Sequence, residues 1–76
     1  ARAAEQAHQR TLKHRTEIEN QGYDVDLMQH EDGQVTCLIS NRELPAKIPG
    51  MGRGDDQYQA MDRAIAEFWD SKQAQP

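Results

Sequence analysis

Apolar and polar positions divide this chain into unequal parts. Of eighteen large apolar side chains, sixteen lie between Tyr23 and Trp69, and only Leu12 and Ile18 precede them. The core must therefore come from the middle and the last third. Tyr23-Asp-Val-Asp-Leu27 alternates strictly, as a half-buried strand does, and predicts a first strand over 23–30. Val35-Thr-Cys-Leu-Ile39 is rich in β-branched residues and predicts a second over 34–40. Leu44, Ala46 and Ile48 alternate again beside Pro45 and Pro49, and proline cannot donate to a ladder, so 44–48 is expected to be a short edge strand. Pro49 to Gly54 reads as a flexible turn.

Helical spacing appears at both ends. Tyr58, Met61, Ile65 and Phe68 recur at i, i+3, i+7 and i+10, flanked by Ala64 and Trp69, and predict a helix over 55–72. Asp55 or Asp56 would cap it, with Asp56 and Gln59 spaced as a capping box. Residues 2–21 contain neither Gly nor Pro and are rich in good helix formers, and Gly22 stands where a left-handed cap is expected. The stripe on this first helix, Ala4, Ala7, Thr11, His14 and Ile18, is thin. It is expected to dock by its C-terminal half.

Burying one apolar face fixes the hairpin register. A three-residue loop, Glu31 to Gly33 with Gly33 left-handed, pairs Val25 with Ile39 and Leu27 with Cys37. A two-residue loop would put Val35, Cys37 and Ile39 on the face of Asp24 and Asp26, since a slip of one residue flips every side chain. The expected architecture is one α+β domain spanning 1–76, in the order α-β-β-β-α. It is a three-stranded antiparallel meander with both helices on one face.

Composition narrows the function classes. A chain of 76 residues buries only about 60% of its unfolded surface, so its stability is marginal. The single cysteine, Cys37, excludes an internal disulfide and a zinc framework built around it. It reads as a core thiol in a reducing cytoplasm. No apolar stretch approaches the roughly 18 residues of a membrane span, and no secretory pattern is present. Net charge is −4, which opposes general attraction to a polyanion. A slightly basic first helix and an acidic last one could attract each other, within one chain or between two. The expected location is cytoplasmic, in a composition common among phage and mobile-element products.

Candidate chemistry is sparse. Gly50-x-Gly52-x-Gly54 before a helix superficially looks like a phosphate loop, but Asp55 and Asp56 would repel phosphate there and no Lys follows. His8 and His14 are six apart, which points them to different sides of a helix, and His30-Glu31-Asp32 reads as a solvated hairpin tip. Asp24 and Asp26 share a strand face, yet an open face does not shift carboxylates toward acid–base work. Ser40 and Ser71 lie in no nucleophile motif. No catalytic residue, cofactor or metal site is assigned, and the protein is expected not to be an enzyme. Arg10, Lys13, His14 and Arg15 form the one basic cluster, which could grip phosphates together with Arg53. Glu17 and Glu19 follow directly, so an ordinary salt-bridged helix surface competes. Met28 and Leu38 fall on the sheet face away from the helices, where exposed apolar pairs mark partner sites; Trp69 is grouped with them, as a further contact or as their cover.

Two families resemble parts of this pattern. The order α-β-β-β-α, with Gly52-x-Gly54 followed by Ala60 and Ala64, resembles a double-stranded-RNA-binding domain. That family's lysine pair falls here on Gln57 and Tyr58, so the resemblance implies the fold, with a docking or dimerisation role in place of RNA contacts. Residues 23–69 resemble the N-terminal domain of HicB-type antitoxins through Tyr23-x-Val25-x-Leu27, Asp32-Gly33 with Val35-Thr36, Leu44-Pro45, and Gly54-Asp55 before Ala60 and Ala64. The first helix is extra, and that family's C-terminal DNA-binding segment is missing. The function expected first is a non-catalytic protein-binding module, an inhibitor, antitoxin-like neutraliser or adaptor, with another protein or a second copy as partner. Nucleic-acid binding through the first helix and the glycine-rich turn is the alternative.

Overall fold

The computed structural model describes residues 2–73. Helix α1 (Arg2–Asn20) leads into strands β1 (Tyr23–Gln29), β2 (Val35–Asn41) and β3 (Gly50–Gly54), and helix α2 (Gln57–Gln73) closes the order α-β-β-β-α. The sheet is antiparallel in the order β1-β2-β3. Hairpin pairing follows the three-residue loop: Val25 faces Ile39, Leu27 faces Cys37, and Gly33 takes a φ of 88°. Gly22, at 100°, ends α1 as the left-handed cap, its N–H donating to the Glu19 carbonyl at 3.1 Å.

The third strand is the main correction. It lies at Gly50–Gly54, not at 44–48, and the run read as a flexible turn is the strand itself. Residues 44–48 form an exposed loop. The Asn41 side chain accepts from the Glu43 and Leu44 amides at 2.9 and 3.2 Å, and Lys47 N–H turns back to the Leu44 carbonyl at 2.9 Å. Alternation of Leu44, Ala46 and Ile48 misleads because nothing covers it: Leu44 and Ile48 are exposed.

Why a glycine strand pairs at all follows from α2. Gly50, Gly52 and Gly54 are buried and face the helix, while Met51 and Arg53 alternate outward. A β-carbon on Gly52 would run into the backbone of Ala60 and Ala64, and one on Gly50 would sit 2.5 Å from the Ala64 carbonyl. Helix backbone lies directly on strand backbone, and Ala60 and Ala64, one turn apart, keep the helix side equally thin. Only glycine leaves room for this approach.

The core joins Ile18 of α1, Val25, Cys37 and Ile39 of the sheet, and Ala60, Met61, Ala64, Ile65 and Phe68 of α2. The helical stripe read from sequence is the buried one. Tyr23 meets Phe68 edge-on, with ring centroids 4.8 Å apart. At the start of α2, Asp56 accepts from the Gln59 N–H at 2.8 Å, while the Gln59 side chain accepts from the Asp55 N–H at 2.7 Å, a capping box displaced by one residue. Helix α2 thus begins at Gln57 rather than 55, and no described helix is long and apolar enough to cross a membrane.

Candidate functional site

Helices cover one face of the sheet and leave the other open. Along the open face, paired rows run across the strands: Asp26, Leu38 and Met51 in one, Met28, Thr36 and Arg53 in the next. Met28 is 46% exposed and Met51 53%, with half-buried Leu38 between their strands. Met51 is the residue that sequence reasoning missed. Its signal was the period-two run Gly-Met-Gly-Arg-Gly, in which every large side chain falls on one face.

Charged groups frame this apolar centre. At one end Arg42 binds Asp24 at 3.1 Å and the Tyr23 carbonyl at 3.0 Å. At the other, Arg53 meets Asp32 at 3.0 Å and the Gln34 side-chain oxygen at 2.6 Å. Asp32 accepts the Gln34 N–H at 3.0 Å. That backbone bond, reinforced by the charges of Arg53 and His30, holds its carboxyl below the usual range. His30 shares a 2.6 Å hydrogen bond with the Thr36 hydroxyl, which fixes the hairpin tip beside the same face. Asp26 has no ion-pair partner among the described residues, so the edge of the patch is acidic.

Trp69 is elsewhere. It lies on the helix layer, edge-on to His14 with ring centroids at 4.8 Å, and neither joins nor covers Met28 and Leu38. His8 stacks on Tyr58 at 3.7 Å, so both histidines of α1, expected on different sides, contact α2, at partners eleven residues apart. Between these two contacts the buried Thr11 hydroxyl donates to Asp62 at 2.5 Å. The basic helix and the acidic helix therefore do meet within one chain.

The four basic residues are not brought together. Arg15 lies beside α2 and β1, its guanidinium donating to the Val25 carbonyl at 3.4 Å and pairing with Glu19 at 3.8 Å. Arg53 belongs to the open face, Arg10 and Lys13 to the exposed side of α1. Cys37 is fully buried, and burial pushes its thiol up to about 11, which leaves it a poor nucleophile near neutrality. Among the described residues no group of three His, Cys, Asp or Glu side chains could hold a metal ion. No protein-family model matches the chain, and no curated protein or solved structure matches it either.

Proposed function

We propose that this protein is a non-catalytic binding module, an inhibitor, antitoxin-like neutraliser or adaptor working in the cytoplasm, whose protein partner docks on the open sheet face. The observation that carries this reading is the apolar centre of Met28, Leu38 and Met51 on the face no helix covers. Exposed apolar groups clustered on one face and rimmed by charge are what a docking surface requires. Nucleic-acid binding has less support, because Arg15 and Arg53 are engaged internally and lie on different faces.

Affinity capture from the source cell, with and without nuclease, tests the reading. One stoichiometric protein should survive nuclease, be lost when Met28 and Leu38 are both changed to serine, and persist when Arg10, Lys13 and Arg15 are reversed in charge. Recovery of nucleic acid, with dependence on the three bases and none on Met28 and Leu38, would sink it.

A further inference from the structure

The apolar stripe of α2 runs out before the helix does. After Phe68 the next positions on that side are Ser71 and Lys72, and serine is too small to carry the core further. On the covered face of the sheet, the row beyond Val25, Ile39 and Gly50 begins with Tyr23 and its partner Asn41. Between these residues and the loop before β3 lies a cavity of about 360 Å³, lined by Tyr23, Asn41, Lys47, Ile48, Pro49 and Ser71. That volume suits a small organic molecule. Ile48, Pro49 and the Tyr23 ring supply its apolar walls.

The polar side chains of this lining are donors. Asn41 Oδ1 already accepts from the Glu43 and Leu44 amides at 2.9 and 3.2 Å, which leaves its Nδ2 to donate. Lys47 is the one charged side chain in the lining, and it has no ion-pair partner among the described residues. Ser71 and Tyr23 add hydroxyls, and no Asp or Glu is present. Lys72 stands beside the cavity, its Nζ 5.6 Å from the Tyr23 ring centroid and 5.1 Å from that of Phe68. Its charge offsets the negative end of α2, which by itself disfavours an anion there. The frame is held in place by backbone bonds. Asn41 N–H donates to the Lys47 carbonyl at 3.1 Å, and Lys47 N–H to the Leu44 carbonyl at 2.9 Å.

We propose that this cavity binds a carboxylate carried on a small apolar body. Lys47 pairs with the carboxylate, Asn41 and Ser71 donate to its oxygens, and Ile48, Pro49 and Tyr23 enclose the rest. A cationic ligand is opposed by Lys47. A neutral apolar ligand would take water from the ammonium and the Asn41 amide without replacing it. Inorganic phosphate has nothing to offer the apolar walls. The cavity lies at the end of the covered face, away from Met28, Leu38 and Met51, so its ligand does not compete with a protein on the open face.

Amide chemical shifts of the labelled chain, titrated with sodium benzoate against sodium chloride at equal ionic strength, test the site. Saturable shifts are expected at Asn41, Lys47, Ile48 and Ser71, and benzamide should give none. Lys47→Gln alters one exposed side chain and should weaken benzoate about tenfold or more. Ser71→Leu, which carries the apolar stripe into the cavity, should abolish binding, while Leu38→Lys on the open face should leave it unchanged. An N-acetylated tripeptide ending in leucine tests the other source of this chemistry, the end of a polypeptide chain. Binding tighter than benzoate, and lost in the tripeptide's C-terminal amide, would uphold the carboxylate and assign it to a chain end. The proposal is overturned if the folded chain shows no saturable shift with either acid. Equal binding of benzamide or inorganic phosphate overturns it too, as does unchanged affinity in Lys47→Gln.

Discussion

The two faces of one small sheet use the same strands in opposite ways. On the covered face Val25, Cys37 and Ile39 are buried against Ile18 and α2, and β3 contributes no side chain at all. On the open face the intervening residues are Asp24, Asp26, Met28, Thr36, Leu38, Ser40, Met51 and Arg53. Stability is concentrated on the first face. The second is left free to vary, and its apolar centre is therefore not explained by folding. Strand β3 carries the contrast furthest, with glycine wherever it meets the helix and a long side chain wherever it meets solvent.

Substitutions on the two faces should differ by nearly an order of magnitude in stability. Phe68→Ala removes a fully buried ring packed on Tyr23 and should cost about 3–5 kcal/mol, read by urea or thermal unfolding. For a domain this short, that approaches or exceeds the whole stability. Gly52→Ala should cost about 3 kcal/mol, because the new methyl meets helix backbone that cannot move aside. Gly54→Ala should cost less, since the obstacle there is the Gln59 side chain.

Titration separates the faces by pH. Cys37 holds its proton in the folded state up to about 11, against an ordinary value of 9.0. Its contribution is fully present below pH 9 and is lost as pH rises toward 11, by about 2 kcal/mol. Chemical unfolding at pH 8 and pH 11 should show this loss in wild-type protein and a smaller one in Cys37→Ala. Smallest of all is Leu38→Lys on the open face, expected within about 0.5 kcal/mol of wild type in the same assay. A larger loss would mean that the open face also serves folding, and the contrast would fail.

Legibility in the sequence followed the same division. The hairpin was readable to the residue, because Val25, Leu27, Cys37 and Ile39 must share a face and only one loop length permits it. The α2 stripe was readable because its spacing repeats over three turns. Strand β3 was not, because its packing surface is an absence: burial of glycine backbone leaves no hydrophobic signal, while exposed Leu44 and Ile48 supplied a false one. Met28 and Leu38 were correctly placed on the open face, but Trp69 was not their neighbour. A tryptophan on the flank of a helical stripe can turn toward either layer, and here His14 holds it on the helix side.

By itself the sequence determined the β-hairpin between two helices, its register and the helical core stripe, because each rests on a local period or a single turn. Tertiary structure alone decided which segment became the third strand. Strand pairing there depends on how closely α2 can approach, and that distance is set by Ala60 and Ala64 against Gly50 and Gly52 across the fold. The same contact brought Met51 onto the open face beside Leu38: the period-two run Gly-Met-Gly-Arg-Gly puts its large side chains on one side, but only the seat of α2 on the glycines makes that run a strand.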